Sequence, residues 1–280
     1  MVNPIQSTSR SSEIAAVTKD NIRIIGDPPE MILIVGPCRS GTTALSNVFA
    51  RAGLYSYMQP IKSMRRAVEE EQPIIPWIID GSVGKVLSKE TLGAKTEAEF
   101  FDPIEELVKI SYPLDKIHLI GICREPRATL GSWVDMWGTV PMSGFIESFK
   151  QLDRIMKGAS QRGIRTTYYV QEALGANDPA HVVRQILSRA GVSIPISGID
   201  AVDWEQGPVF GDESSNIAFF DNPPEKFVAG VKQFGGYRFR LLVAALTKAQ
   251  DDAIRSAELY DIYRKFARNC ERDLNITILE

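Results

Sequence analysis

Four short apolar runs punctuate the chain at Met31–Val35, Val86–Ser88, Ile117–Cys123 and Thr166–Val170. Three of them are apolar on both sides, the pattern of strands covered on both faces of a parallel sheet. Between them the period changes. Leu45, Val48, Phe49 and Ala52 fall at i, i+3, i+4 and i+7, with Gly53 placed to end a helix. Leu130, Trp133, Val134 and Trp137 repeat that spacing behind Pro126, a residue suited to a first helical position. Asp178–Pro179 opens another helix that runs to about Ala190, and LTKAQDDAIRSAELYDIYRKFARN, 246–269, reads as helix throughout. Strands alternating with helices predict an α/β fold, doubly wound, with a mainly parallel sheet and helices on both faces. Residues 203–236, rich in glycine, aspartate, asparagine and phenylalanine, read as a long excursion, which in compact domains is usually functional or mobile.

Composition narrows this picture. With 280 residues, 44% hydrophobic and 24% charged, the chain can bury one large α/β core. No proline-glycine linker divides the middle, so residues 21–280 read as one domain behind a polar, loosely ordered segment 1–20. A net charge of −3 provides no global basic field and argues against nucleic acid as a partner. Three cysteines (Cys38, Cys123, Cys270) and two histidines (His118, His181) show no close-spaced pairing. Neither a metal site nor a disulfide framework is expected, and a reducing cytoplasm is the default setting. The N-terminus lacks the apolar core of a signal peptide. IIPWII at 74–79, among the longest apolar runs, is far too short to span a membrane.

The candidate chemistry starts at MILIVGPCRSGTTALSNVFARAG, 31–53. A strand, a glycine turn and an amphipathic helix leave unpaired N–H groups at the helix start, where an anion can sit. The nucleoside-triphosphate version of this loop reads G-x-x-x-x-G-K-[ST]. Here the frame is Gly36, Gly41, Thr42, Thr43, so threonine stands in the lysine's place and the nearest cation is Arg39. A second stretch, HLIGICREPRATLGSWVDMW at 118–137, puts Arg124 at the carboxyl end of a buried strand, the edge where open α/β sheets hold ligands. Ser132 follows eight residues later on the polar side of the helix. An arginine fork and a hydroxyl suit a phosphate. Taken singly, Arg124 reads as a partner of Glu125 on a solvated turn and Ser132 as a small packing residue.

Together, PxRSGTTxL and RxPRxxxxS resemble the sulfotransferase family that uses 3′-phosphoadenosine 5′-phosphosulfate. The resemblance implies that Arg39, Ser40, Gly41, Thr42 and Thr43 cradle the 5′-phosphosulfate and that Arg124 and Ser132 hold the 3′-phosphate. It also accounts for the missing lysine, because such a cofactor has no γ-phosphate to reach. YYVQEALGANDPAHVVRQILSRAGV, 168–192, and LTKAQDDAIRSAELYDIYRKF, 246–266, resemble later parts of the family less specifically. The implied reaction moves a sulfuryl group to a hydroxyl or amine of a small-molecule acceptor and releases adenosine 3′,5′-bisphosphate.

That reaction needs a proton acceptor and a cation at the leaving phosphate. Cytosolic members use a histidine a few residues after a lysine on the strand between the two motifs. In GKVLSKETLGAK, 84–95, Lys89 fits the lysine and no histidine follows. Glu90 is the first choice of base, with Lys89 and Arg39 as catalytic cations and with Glu97 and Glu99 in reserve. Another family position for the base holds Gln59, which cannot act as one, with Lys62 close by. His118 and His181 read as structural. The family's Arg-Lys-Gly cofactor loop has no match, and residues 207–221 or FGGYRFR (234–240) are candidates to replace it. Tyr55, Tyr57, Trp77, Phe100, Phe101 and Trp137 are candidates for the acceptor pocket. Two other classes remain open. One is a P-loop kinase or nucleotide hydrolase, for which Asp80, ending IIPWIID, would serve a magnesium site. The other is a non-catalytic protein that keeps the nucleotide site as a scaffold.

Overall fold

The computed structural model describes residues 19–93, 96–139, 141–193, 202–203, 217–220, 235–239 and 246–278. The polar segment 1–20 lies almost wholly outside them, as does most of the 203–236 excursion. Eight strands are described: β1 (Ile22–Ile25), β2 (Glu30–Pro37), β3 (Tyr55–Met58), β4 (Trp77–Asp80), β5 (Lys85–Leu92), β6 (Ile117–Cys123), β7 (Arg165–Val170) and β8 (Ile217–Phe219). Six form one sheet in the order β7-β6-β2-β5-β3-β8, and every pairing in it is parallel. Strands β1 and β4 make a separate parallel pair.

The helices flank the main sheet, giving the doubly wound α/β fold. They are α1 (Thr42–Arg51), α2 (Pro60–Glu69), α3 (Pro103–Lys109), α4 (Pro126–Trp137), α5 (Met142–Gln161), α6 (Ala173–Ala176), α7 (Pro179–Arg189), α8 (Lys248–Ser256) and α9 (Leu259–Leu274). Strand β2 is buried from Met31 to Pro37 because both its neighbours and the helices cover it. The chain leaves β2 for β3 and β5 on one side and then crosses to β6 on the other. That reversal of winding direction beside β2 opens a crevice at the carboxyl ends of the strands, the place where such sheets bind ligands.

Local sequence explains the boundaries. Pro126 and Pro179 stand in the first turns of α4 and α7, whose caps, Glu125 and Asp178, accept from Ala128 N and His181 N. Gly53 (φ +92°) follows the end of α1 in the left-handed region, where a glycine carries no Cβ penalty. Three departures from the sequence pattern have physical causes. Strand β5 is eight residues long, not three, because its polar half, Ser88–Thr91, is buried and Glu90 and Thr91 find partners inside. Strands β3 and β4 fall in stretches whose aromatic and apolar residues pack between the two sheets, with Tyr57 against Trp77 at 5.5 Å. The C-terminal segment is two helices. Thr247 and Gln250 form a capping box at α8, and Glu258 at φ +60° breaks the run. The break turns the chain so that Leu259, Phe266 and Cys270 are buried along α9, which packs on β7. Among the described residues, no helix is long and apolar enough to cross a membrane.

Candidate functional site

The crevice is built from four strand ends. Strand β2 runs into Cys38–Arg39–Ser40–Gly41, and Cys38 N donates to Leu92 O (3.0 Å), tying the loop to the end of β5. Arg39 (φ +68°) and Gly41 (φ +96°) are both left-handed. At Gly41 this is only half the reason for glycine, because a Cβ there would also collide with Gln171 Oε1. Gly36 is required for a different reason, since a Cβ would strike the Ile122 carbonyl on the adjacent strand. Gly41 is the N-cap of α1 and makes no side-chain cap, so the first turn carries its partial positive charge into the crevice.

The two sequence motifs meet here. Arg39 Nε donates to Ser132 Oγ at 2.9 Å across 93 residues of chain. Ser132 is 3% exposed and Arg124, at the end of β6, is 8% exposed, so neither sits on a solvated turn. Glu125 caps α4 rather than serving mainly as an arginine partner: its Oε2 accepts from Ala128 N at 2.7 Å. Its own amide donates to Glu172 Oε1 at 3.0 Å. Burial raises the Glu172 carboxyl, while that amide and the Arg124 guanidinium pull it down. The hydroxyls divide by burial. Ser40 is fully buried and donates to Pro37 O (2.7 Å), Thr42 is buried, and Thr43 is half-buried.

The expected base and its lysine lie on β5, where Lys89 pairs with Ile34 and Glu90 with Val35 in the register with β2. Adjacent strand residues face opposite sides of the sheet, so the two side chains share no face. Both oxygens of Glu90 accept amides from the start of α2, from Ile61 N at 2.9 Å and Lys62 N at 3.2 Å. Burial pushes its carboxyl up to about 8, against the pull of those amides and of Lys89 and Lys62. Glu99 is engaged as well, with Lys62 Nζ at 3.1 Å and Arg66 Nε at 2.6 Å. Lys62 is fully buried and also reaches Gly93 O (2.6 Å), Thr91 Oγ1 (3.2 Å) and Cys38 Sγ (3.3 Å). It therefore braces the Cys38–Gly41 loop against the end of β5. Gln59 bonds Thr91 Oγ1 through its side chain.

Glu97 lies elsewhere. It lines a cavity of about 550 Å³ together with Thr96, Phe100, Trp133, Pro141, Ser143, Gly144 and Glu147. The cavity adjoins the loop through Trp133, whose Nε1 donates to Cys38 O at 2.6 Å and which immediately follows Ser132. Gly93 completes that corner, since a Cβ on it would press on the rings of Phe100 and Trp133. Of the aromatics expected at an acceptor pocket, Phe100 lines this cavity and Trp137 packs edge-on to Trp133 at 5.3 Å. Tyr57 and Trp77 are core, Phe101 lies under Arg65, and Tyr55 is exposed.

One residue belongs to the crevice that sequence reasoning passed over. Gln171, after β7, donates its backbone N–H to Cys123 O (3.1 Å), and its side chain abuts Gly41. Tyr237 O–H donates to Tyr169 Oη (3.0 Å) and approaches Gln171 Oε1 (3.5 Å), which brings the described part of FGGYRFR, 235–239, to this end of β7. The strand-end rule that singles out Arg124 would have found Gln171. The other replacement loop, 207–221, lies outside the described residues except for Ile217–Phe220. His118 behaves as expected of a structural residue. It is buried at the start of β6 with Nε2 2.7 Å from Thr167 Oγ1, and burial lowers its pKa to about 3.

Fold and site thus define a doubly wound α/β protein with a strand–glycine turn–helix loop at its carboxyl edge, flanked by two arginines and an adjoining acidic, aromatic cavity. Compared with known proteins, the chain matches no family model and no curated protein.

Proposed function

We propose that the chain is a sulfotransferase that uses 3′-phosphoadenosine 5′-phosphosulfate. The observation that carries this reading is the 2.9 Å bond from Arg39 Nε to Ser132 Oγ, which joins two motifs 93 residues apart in one site. In the proposed complex, the amides of Gly41, Thr42 and Thr43 and the Arg39 guanidinium hold the 5′-phosphosulfate, and Arg124 and Ser132 hold the 3′-phosphate. The acceptor's nucleophile attacks sulfur, and the sulfur–oxygen bond to the 5′-phosphate breaks. Its electron pair leaves on adenosine 3′,5′-bisphosphate, whose growing charge faces the α1 terminus and Arg39.

The acceptor's proton needs a base. Glu90, buried with both oxygens accepting amides, is occupied in bracing α2. Glu97, at the cavity, takes that role in our reading, with Lys89 left as a buried neighbour of Glu90. The kinase alternative loses its metal strand. Asp80 ends β4 in the two-stranded sheet, and its side chain accepts from Ser82 N at 2.8 Å. Five residues further on, Lys85 starts β5 at the amino edge of the main sheet, opposite the loop.

The test is calorimetry with adenosine 3′,5′-bisphosphate and Mg-ATP. The proposal expects the bisphosphate to bind tighter, with no change on adding a chelator. A magnesium-dependent preference for ATP would replace it with phosphoryl-transfer chemistry. Bisphosphate binding with no sulfated product across acceptor classes would leave a nucleotide-binding scaffold.

A further inference from the structure

We infer that the cavity beside the phosphate loop takes a small organic amine with a flat apolar body, and that under the sulfotransferase reading, on which this rests, such amines are the acceptor class. The cavity's volume of about 550 Å³ suits a molecule of one or two fused rings. Phe100 provides a ring wall, Trp133, 1% exposed, closes the floor with an edge only, and Gly144 leaves the space facing Phe100 clear. Its only charged lining residues among those described are two carboxylates, Glu97 and Glu147. Glu147 is already paired with Arg154 on its solvent side. Glu97 is exposed, and its carboxylate has no ion pair or hydrogen bond among the described residues. Thr96 lines the same wall, and its buried hydroxyl oxygen has no partner among the described residues. Two carboxylates beside the Phe100 ring favour a cation over a neutral molecule and disfavour an anion, and the Thr96 hydroxyl can accept from an ammonium.

The position of the cavity links this selectivity to transfer. Trp133 borders the cavity and bonds the Cys38 carbonyl, so one side chain separates the cavity from the loop. An ammonium drawn in by the carboxylates loses one proton to solvent as it becomes the free amine. The nitrogen then forms a bond to sulfur as the bond to the 5′-phosphate breaks, and its second proton passes to Glu97.

Three probes with one ring system test the charge preference: 1-naphthylmethylamine, 1-naphthylmethanol and 1-naphthoate, titrated calorimetrically into the full chain without nucleotide. The amine should bind roughly tenfold tighter than the alcohol and the naphthoate weakest. In the double variant Glu97→Gln, Glu147→Gln, whose sites are partly solvent-exposed and tolerant, the amine and alcohol should converge within about twofold. Gly144→Leu, which fills the space facing Phe100, should weaken all three. Naphthoate binding as tightly as the amine, a gap that survives the double variant, or no probe binding at all would each overturn the assignment. The bisphosphate titration is read separately. Amine selectivity without bisphosphate binding would support the cavity's ligand class and end the sulfotransferase reading. Bisphosphate binding without amine selectivity would do the reverse.

Discussion

Helices α1 and α2 begin alike and end up with opposite tasks. Each follows a parallel strand at the carboxyl edge, and each has a left-handed N-cap residue, Gly41 and Gln59, that makes no side-chain cap. At α2 the first amides are filled from inside the chain, because Glu90 reaches across from β5 to accept from Ile61 and Lys62. At α1 no side chain caps the N-cap position, and Arg39 stands beside it. The same electrostatic feature is thus sealed in one helix and, under the proposed function, offered to a ligand in the other. The difference lies not in the helices but in what the neighbouring strand brings: a buried glutamate on β5, a glycine turn on β2.

The largest expected effect breaks the sealed end. Glu90→Ala removes the acceptor of two buried amides and leaves Lys89 and Lys62 without a carboxyl that each interacts with. Each buried amide left without its acceptor should cost about 1–3 kcal/mol, read as a fall in the urea midpoint. The open end should not respond in kind: Gly41 lies on another loop, and bisphosphate affinity in the folded variant should change little. Equal losses in stability and affinity would mean that the two termini are one coupled unit.

The second prediction breaks the open end. Arg124→Ala should weaken adenosine 3′,5′-bisphosphate by about 1.5–3 kcal/mol, since a charged hydrogen-bonding partner is lost. Adenosine 5′-phosphate, which lacks the 3′ group, should be nearly unaffected, and the urea midpoint should move much less than in Glu90→Ala. Matched losses for both nucleotides would remove Arg124 from the 3′-phosphate.

The third sharpens the contrast through pH. Glu90 has a folded pKa raised to about 8 from an ordinary 4.5, so the folded chain holds this proton more firmly than the unfolded one. The resulting stability is fully present below about pH 4.5 and is lost as pH rises through about 8. Between those limits, this group should lower stability with rising pH by up to about 1.4 kcal/mol per unit. Urea titrations at pH 5, 6, 7 and 8 should show a slope in the native chain that Glu90→Gln lacks. Parallel curves would mean that α2 is served by an ionised carboxylate, as α1 would be by a phosphate.

These contrasts also mark how far the sequence could be read. The apolar strands β2, β6 and β7 and the proline-started helices α4 and α7 were legible because both period and caps are local. Strand β5 was seen only at its apolar start, because Lys89, Glu90 and Thr91 read as surface until the amides and hydroxyls that meet them are known. Arg39 and Ser132 were legible as parts of two motifs, whereas their contact is a property of the fold. Lys62 was noticed only for its neighbourhood, since nothing local marks a lysine whose partners are Glu99, Gly93 and Cys38. The break at Glu258 was hidden for a related reason. Good helix formers continue through it, and the turn coincides with the burial of Leu259, Phe266 and Cys270, which local sequence does not mark.

The smallest expected effect concerns the bond that carries the functional reading. Ser132→Ala removes the acceptor of Arg39 Nε from a site that is 3% exposed. A hydrogen bond to a charged group contributes about 1.5–3 kcal/mol, and because Arg39 keeps other contacts the urea midpoint should fall by the lower part of that range. Two roles for the hydroxyl separate in the ligand titrations. If it only holds Arg39 in place, its loss frees the guanidinium, and both adenosine nucleotides should bind as well as before or slightly better. If it also donates to the 3′-phosphate, as proposed, bisphosphate affinity should drop by roughly 0.5–1.5 kcal/mol while adenosine 5′-phosphate stays level. Ser132→Thr restores the hydroxyl at the cost of a methyl in a tight space, so partial recovery of bisphosphate affinity would attribute the loss to the hydroxyl rather than to repacking. A bisphosphate affinity unchanged in Ser132→Ala would leave Arg124 to hold the 3′-phosphate without it and reduce Ser132 to a prop for the open end of α1.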